Sequence, residues 1–280
     1  MYYRYQSEVE EPDEDDEGMD EMDSKPFGLV KFMALNAKKD LLALYSDPAN
    51  EGLMFVMKAN MQRLFSRRRT QQTNASQLCW SGNDCPVISV FNQLVIVGPV
   101  DQTCIQLNAR TDGVFLMNEL DGMRVLTSEQ SYFFESVKAA TVNTFAIGSI
   151  DPAAKLHDAQ KYIDFNNPCA DQIIRELDKK LKVGIDTLLD AAKQEHHDID
   201  VLKHLLTTAS FAKKFCDPAD FSPDQYVDVV KHSIVLTKMR NSPQFARAIT
   251  YTQLDKFKPK NMIKLLIKYR DYKLAILVIE

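Results

Sequence analysis

The fold is decided by the stretch Leu205-Leu206-Thr207-Thr208-Ala209-Ser210-Phe211-Ala212-Lys213-Lys214-Phe215, which predicts one amphipathic helix. Apolar and small residues recur in it at spacings of three and four, which places them near one face of the helix. These residues are Leu205, Ala209, Ala212 and Phe215. Small side chains let a neighbouring helix approach closely, and the two Phe rings fill the remaining space. The stretch therefore predicts a helix that packs against other helices.

Similar helices are predicted along the chain from Asp151-Pro152 onward. Asp151 suits a capping position and Pro152 suits the first helical position, so we expect a first helix to about Phe165. Further start signals follow, some of them capping-box patterns, at Asn167-Pro168, Asp198, Ser222-Pro223, Thr250 and Pro259. Helices that are joined by short turns and have one apolar face each are typical of an α-solenoid of antiparallel helices. We assign residues 151–280 to the start of such a solenoid.

The second and the last of these helices show how far the pattern extends. The second carries one apolar stripe along its length: Ile173, Leu177, Leu181, Leu188 and Ala192. The last, Tyr272 to Glu280, ends without a cap in the apolar run Leu274–Ile279. A terminal solenoid repeat normally carries a polar outer face. We therefore expect a truncated chain, or one that continues or meets a partner there.

Short strands in hairpins are predicted before the helices, from Phe27 to about Val142. Asp112-Gly113 and Asp121-Gly122 are turn dipeptides between apolar segments. Turns about every ten residues are typical of a sandwich, a barrel or the blades of a propeller. A blade takes about 40–45 residues, so residues 27–150 have room for only the last two or three blades of a partial β-propeller. The predicted fold class is therefore β followed by α.

Residues 1–26 are predicted to form a disordered acidic tail. The run from Glu8 to Asp23 is dense in Glu and Asp, and its apolar surface is too small to offset the entropy of ordering. An acidic docking segment for a basic partner is the alternative. The formal net charge of the whole chain is -5, so the remaining residues are mildly basic. That balance excludes the strongly basic character of a nucleic-acid-binding domain.

The cysteines and the apolar segments indicate the cellular compartment of the protein. The five cysteines are scattered without metal-ligand spacing, as is typical of free thiols in a reducing compartment: Cys79, Cys85, Cys104, Cys169 and Cys216. The polar, acidic N-terminus does not resemble a secretory signal, and no run approaches the roughly 20 apolar residues of a membrane span. We expect a soluble intracellular protein whose membrane contacts are made through partners.

Few residues suggest chemistry. Glu195-His196-His197-Asp198 is the only close cluster of metal-type ligands, but adjacent histidines on a helix diverge, so a solvated inter-helix loop is favoured. Arg67-Arg68-Arg69, in a predicted polar loop from Ser66 to Asn74, suggests contact with lipid headgroups or phosphate, although a solvated loop is again favoured. Trp80 is expected in the core of the β part, with a binding surface as the alternative. We predict no catalytic, cofactor-binding or metal-binding residues, and no cofactor.

Three blocks of sequence resemble the vacuolar protein sorting-associated protein 16 family. The first is Glu119-Leu120-Asp121-Gly122-Met123-Arg124-Val125-Leu126-Thr127, similar to the family's E-L-D-G-x-R-hydrophobic hairpin. The second is the helix Leu205–Phe215, where Ala212 replaces a glycine. The third comprises Leu236–Arg240, Ile249–Leu254 and Tyr272–Ile276, with Ala248-Ile249 in place of a Pro-Leu pair. The resemblance covers about Phe27 to Glu280.

The resemblance implies a non-catalytic core subunit of the HOPS and CORVET tethering complexes, with a β-propeller followed by an α-solenoid. Such subunits act at late endosomes, lysosomes or vacuoles, in vesicle transport and membrane fusion. It further implies partners among the other subunits, including an SM-family SNARE regulator whose binding region is expected beyond Glu280. A generic α-solenoid adaptor of a coat or transport complex is the alternative function, and an enzyme is disfavoured.

Overall fold

The computed structural model describes residues 2–6, 29–47, 52–61, 64–70, 74–83, 85–90, 93–98, 102–107, 113–165, 167–177, 180–195, 197–216, 223–243 and 249–279. The chain divides into two compact units, Met1–Ser136 and Val137–Glu280. Strands come first and helices follow, in agreement with the predicted order of β before α.

The described strands form three sheets of four strands each. Their bounds are β1 (Tyr2–Gln6), β2 (Val30–Leu35), β3 (Leu41–Ser46), β4 (Gly52–Lys58), β5 (Leu64–Thr70), β6 (Gln77–Ser81), β7 (Cys85–Val90), β8 (Gln93–Val97), β9 (Gln102–Gln106), β10 (Phe115–Asn118), β11 (Met123–Leu126) and β12 (Ser131–Val137). The first sheet has the order β2-β3-β4-β5 and the second β6-β7-β8-β9, each an antiparallel meander. The third has the order β1-β12-β11-β10.

The second sheet packs between the other two, which explains its nearly continuous apolar strands. Alternate side chains of a strand point to opposite faces, so both faces of this sheet need apolar residues. One face, with Trp80 and Ile88, packs on Ala43 and Tyr45 of the first sheet. The other face, with Val87, packs on the third sheet. Strand β7 is accordingly buried along its whole length.

Trp80 lies in this core, as predicted. Its side chain is 1% exposed, and its indole Nε1 donates a hydrogen bond of 2.9 Å to the carbonyl oxygen of Ala34. A buried tryptophan needs such a partner for its single donor. The bond also joins β6 to the neighbouring sheet through β2.

The second unit is helical. Its described α-helices are α1 (Ala139–Phe145), α2 (Pro152–Asp164), α3 (Cys169–Leu177), α4 (Leu181–Gln194), α5 (Ile199–Ala212), α6 (Pro223–Asn241), α7 (Tyr251–Phe257), α8 (Pro259–Lys268) and α9 (Tyr272–Leu277). A short 3₁₀ turn, Lys213–Phe215, follows α5. The helix starts agree with the capping signals in the sequence. Asp151 accepts a hydrogen bond from the Ala153 N–H, Asp198 caps α5, and Thr250 caps α7.

Two apolar clusters hold the helices together. The larger joins α2, α3, α4, α5 and the start of α6, with Leu156, Ile185, Leu188 and Leu205 at or near zero exposure. The smaller joins α6 to α9 around Met262 and Leu266. Helices α2 and α4 approach so closely that a side chain at Gly184 would lie 2.8 Å from Leu156 and 3.1 Å from the backbone of Pro152. These contacts fix the spacing of the helices.

Three helical predictions are wrong in detail. The residues before Asp151, assigned to strands, include helix α1. The single helix predicted across Leu177 and Leu181 is two helices, α3 and α4. Both leucines are buried and lie four residues apart, so the apolar spacing continues across the break and conceals it. The last helix ends at Leu277.

The face of α5 also differs from the expectation. Leu205, Ala209 and Ala212 are fully buried, as predicted, but Phe215 is 50% exposed. Leu202 and Thr208 complete the buried face instead. The reason is that the α-helix ends at Ala212, and the 3₁₀ turn that follows has three residues per turn, so Phe215 leaves the helical register.

Two predictions about polar segments are also corrected. Arg67-Arg68-Arg69, assigned to a loop, lies within strand β5, where Phe55 pairs with Arg67 and Leu53 with Arg69. Backbone bonds to β4 do not depend on the side chains, and charged residues are common on edge strands. Tyr2–Gln6, assigned to the disordered tail, forms β1, whereas the run Glu8–Asp23 lies outside the described residues. The identification of the sheets as propeller blades, and of the helices as a solenoid, stays a prediction.

Candidate interaction site

The hairpin of β10 and β11 is closed by a partly buried ion pair. The Glu119 N–H donates to the Gly122 carbonyl oxygen across the turn, at 2.9 Å. The Arg124 guanidinium then binds both carboxylate oxygens of Glu119, at 2.5 and 3.0 Å. It also lies 5.3 Å from the ring centroid of Phe133 on β12. A two-pronged, stacked arginine fixes the turn far better than a lysine would.

Gly122 is required by a close approach of two chain segments. A Cβ atom at this position would lie 2.3 Å from the carbonyl oxygen of Phe134 and 2.7 Å from the ring of Phe133. Both distances are shorter than any tolerated contact, and a backbone atom does not move away cheaply. The glycine and the Glu119–Arg124 pair therefore set the turn against β12.

The same hairpin presents an exposed apolar surface, which we call the hairpin face. Phe115 on β10 is 69% exposed and pairs across the ladder with Leu126 on β11. Met117, two residues along on the same face, is 45% exposed. Adjacent exposed apolar side chains of this size are typical of a surface that contacts another protein.

Gln77 bonds the backbone of β10 at Leu116, on the open edge of the strand. Its amide Nε2 donates to the Leu116 carbonyl oxygen, and its Oε1 accepts from the Leu116 N–H, both at 2.9 Å. Gln77 thus satisfies backbone groups that would otherwise be free to pair with another strand. A partner is therefore expected to meet the side chains of the hairpin face, not the strand edge. No sequence pattern signals this role of Gln77, because the two residues are 39 positions apart.

Helix α1 is tied to α4 by one buried amide. The Oε1 atom of Gln194 accepts hydrogen bonds from the Lys138 N–H, at 2.9 Å, and from the Thr141 hydroxyl, at 2.8 Å. Gln194 is 1% exposed. The sequence predicted strands up to about Val142, whereas this contact stabilises the start of a helix. Gln194 was another residue that sequence reasoning missed.

A histidine pair lies between α2 and α5. The rings of His157 and His204 meet edge to face with centroids 4.7 Å apart, and Phe145 packs on His157 at 5.2 Å. The pKa of His157 falls from 6.5 to about 4, mainly because burial penalises the charged ring. The charges of Lys161 and His204 lower it further. His157 therefore acts as a neutral packing residue near pH 7.

The described residues of the cluster that suggested metal binding lie at a helix end, in a turn and at a helix cap. Glu195 is only 7% exposed at the end of α4, so it does not lie in the solvated loop that we predicted. The His197 Nε2 atom is 3.9 Å from a carboxylate oxygen of Glu195, Asp198 caps α5, and His196 lies outside the described residues. Within the described ranges, no group of three or more His, Cys, Asp or Glu residues is arranged to hold a metal ion.

The five cysteines, all of them within the described residues, form no disulfide. Burial raises the pKa of the Cys79 thiol to about 11, which keeps it protonated and unreactive. None of the helices in the described part of the chain combines the length and apolar character needed to cross a membrane.

Comparison with known proteins identifies the family of the chain. The family profile described as "Vps16, N-terminal region" matches residues 16–228. The chain belongs to this family. The Vps16-family resemblance seen in the sequence is thus confirmed.

The chain is similar to proteins of several organisms, and two of the three described next carry a vacuolar protein sorting-associated protein 16 name. The chain is 30% identical over 244 residues to the probable vacuolar protein sorting-associated protein 16 homolog of Schizosaccharomyces pombe. The alignment covers 84% of this chain and 28% of that protein. It is 26% identical over 273 residues to Protein VACUOLELESS1 of Arabidopsis thaliana, covering 97% of this chain and 31% of that protein. It is 27% identical over 237 residues to vacuolar protein sorting-associated protein 16 of Saccharomyces cerevisiae, and the alignment covers 85% of this chain and 27% of that protein. The chain thus spans less than a third of the length of these relatives.

The three Vps16-like blocks occupy defined positions in the structure. The E-L-D-G-x-R block forms the β10–β11 turn with its ion pair. The Leu205–Phe215 block forms the C-terminal half of α5 and the 3₁₀ turn. Segments of the third block form the end of α6, the capped start of α7 and most of α9. In this Vps16-family chain the family resemblance therefore rests on turn geometry and helix packing.

Proposed function

We propose that the chain acts as a non-catalytic scaffold subunit of a HOPS/CORVET-type tethering complex, in vesicle transport and membrane fusion between endosomes and the lysosome or vacuole. The observation that carries the proposal is the match of residues 16–228 to the Vps16 N-terminal region. The relatives' names, which refer to vacuolar protein sorting, support the cellular process.

The proposed mechanism is geometric. A tethering subunit keeps partner-binding surfaces at defined distances, so it needs elements that do not deform under load. The close contact of α2 and α4 at Gly184 and the buried Gln194 amide supply such rigidity within the helical unit. The Glu119–Arg124 pair does the same for the β10–β11 hairpin. The apolar hairpin face is the surface that we assign to partner contact.

The proposal includes the following partners and location. The partners are other HOPS/CORVET subunits, among them an SM-family SNARE regulator. The protein is cytoplasmic and peripheral on late endosome, lysosome or vacuole membranes, and it reaches them indirectly, through the complex. It binds no nucleic acid, since the folded part lacks a strongly basic charge balance.

Affinity purification of the tagged chain from cells tests this function. We expect tethering subunits to copurify, and recovery to fall when Phe115→Glu places a charge on the hairpin face. Ile147→Glu is the matched control, because Ile147 is a fully exposed apolar residue of the helical unit. Recovery of coat subunits in place of tethering subunits would contradict the proposal. Equal losses with both variants would contradict the role of the hairpin face.

A further inference from the structure

A groove runs along the outer side of α5 in the helical unit. It lies between α2 and α6, is open to solvent, and has a volume of about 440 Å³. Its apolar lining comes from Leu206 and Phe211 of α5 and from Tyr226 and Val230 of α6, all half-buried. The lining is continuous with the buried core, because Leu206, Phe211 and Tyr226 pack against the larger helical cluster. The walls of the groove are therefore supported by fixed helices.

A row of polar residues on α5 and on the 3₁₀ turn that follows it lines the same groove. Its members are Lys203, Thr207, Ser210 and Lys214. Lys203, Thr207 and Ser210, at spacings of four and seven residues, share one face of α5, and Lys214 lies in the 3₁₀ turn just beyond its end. Nine residues of α-helix and two of 3₁₀ turn separate the two lysines by about 17 Å along the axis. The groove thus has a positive charge at either end, two hydroxyl groups between them, and apolar side chains beside them.

Lys203 and a neighbouring lysine strengthen the positive character of the groove. Lys203 lies 3.9 Å from a carboxylate oxygen of Asp200, but both side chains are largely exposed, so solvent screens this pair strongly. The ammonium group of Lys213 lies 5.1 Å from the ring centroid of Tyr226 at the edge of the groove. Lys203 therefore keeps most of its ability to attract a second carboxylate.

We propose that this groove binds an acidic amphipathic helix from a partner protein. In a helix lying along α5, two carboxylates eleven residues apart are separated by about 16 Å along the axis, which matches the spacing of Lys203 and Lys214. Residues four and seven positions after the first carboxylate lie on the same face of that helix, so they enter the groove between the two lysines, beside its apolar lining. This is the helix-in-groove mode of recognition, in which apolar anchors supply affinity and flanking charges supply register. The inference goes beyond the proposed function and does not depend on it.

The charge of the chain favours an acidic occupant. Eleven of the acidic residues, and no Lys or Arg, lie between Glu8 and Asp23, so the remaining residues carry a formal net charge of +6. An acidic helix is therefore attracted to this part of the chain at long range and oriented at short range by the two end lysines.

A labelled synthetic helix tests the proposal with the full chain. The probe carries two glutamates eleven residues apart and two leucines between them, four and seven positions after the first glutamate. Fluorescence anisotropy measures its Kd. We expect saturable binding that weakens with added salt, and a Kd about tenfold higher for the chain with Lys203→Glu and Lys214→Glu. Both lysines are exposed, so these changes should leave the circular dichroism spectrum unaltered.

Two controls isolate the geometry from the net charge. Lys182→Glu with Lys264→Glu changes the net charge equally at exposed positions on α4 and α8, and should leave the Kd unchanged. A probe with lysines in place of both glutamates should bind the Lys203→Glu, Lys214→Glu chain but not the native chain. Rescue by this charge exchange requires direct pairing at the two ends of the groove.

Three results would overturn the proposal. The first is a native chain that does not bind the probe. The second is an equal loss of affinity in both pairs of variants, which means that binding follows net charge alone. The third is evidence for another occupant. If a peptide of residues 8–23 displaces the probe, the groove binds the chain's own acidic run. If sedimentation shows a dimer that Lys203→Glu disrupts, the groove binds a second copy of the chain.

Discussion

His157 gives the sharpest test of the helical packing, because its burial predicts a loss of stability in acid. The pKa of His157 is about 4 in the folded chain and 6.5 for an ordinary histidine, so the unfolded chain binds the proton more readily. Stability from this residue is therefore complete above about pH 6.5 and is lost as the pH falls towards about 4. Burial is the main cause of the shift, and the nearby Asp158 carboxylate opposes it only partly.

The magnitude follows from the size of this shift. One pKa unit corresponds to about 1.4 kcal/mol, and partial screening by solvent at the ring edge reduces the full value. We expect the His157 contribution to the free energy of unfolding to fall by about 1–2 kcal/mol between pH 7 and pH 5. His157→Gln removes the titrating group, so the variant should lose that much less stability over the same interval.

Urea unfolding followed by far-UV circular dichroism measures the effect. Native chain and His157→Gln are compared at several pH values, so that contributions from carboxylates common to both cancel in the difference. His204→Gln is the second variant, because the charge of His204 also lowers the pKa of His157. It should reduce the acid sensitivity in part. Equal pH dependence in the native chain and His157→Gln would refute the reasoning.

Three further changes test the contacts that position the sheets and helices. Gly122→Ala should destabilise the first unit by about 3 kcal/mol or more through overpacking, because the added Cβ would meet the carbonyl oxygen of Phe134. Fluorescence of Trp80, the single tryptophan, reports the unfolding. Gln194→Met should cost about 2–4 kcal/mol, measured by circular dichroism, because two buried donors lose their acceptor. Leu205→Ala should cost about 2–5 kcal/mol in the same assay, by leaving a cavity in the larger helical cluster.

Each of these changes has a control elsewhere in the chain. Gly148→Ala adds a Cβ that meets no atom within 4 Å, so it tests backbone strain at φ +78° without a clash. Gln172→Met and Leu120→Ala alter side chains of the same types at more exposed positions. A control as costly as its test variant would show that the loss does not arise from the contact named.

Local signals in the sequence were sufficient for most element boundaries. The caps Asp151, Asp198 and Thr250 start α2, α5 and α7 because each side chain bonds backbone N–H groups within three residues of itself. The turn between β10 and β11 was likewise predicted from the dipeptide Asp121-Gly122. Such interactions are encoded by neighbours in the chain, so the sequence alone reveals them.

Predictions failed where a distant contact decides the conformation. Helix α1 has β-branched residues that favour a strand, yet its start is fixed by Gln194, more than 50 positions away. Arg67-Arg68-Arg69 looks like a loop, but the backbone of β4 holds it in β5. The break between α3 and α4 is hidden because Leu177 and Leu181 keep the helical spacing across it.

The sequence by itself determined the order of strands before helices, the buried positions of Trp80 and most of the α5 face, and the family of the chain. These properties depend on periodicity, turn chemistry and local motifs. Only the tertiary structure decided that Glu119 and Arg124 form a partly buried pair, that Gln77 bonds the backbone of β10 at Leu116, and that Lys203 and Lys214 border a groove. Each of these contacts joins residues that only packing brings together. Neighbouring residues in the sequence therefore carry no pattern that reveals it.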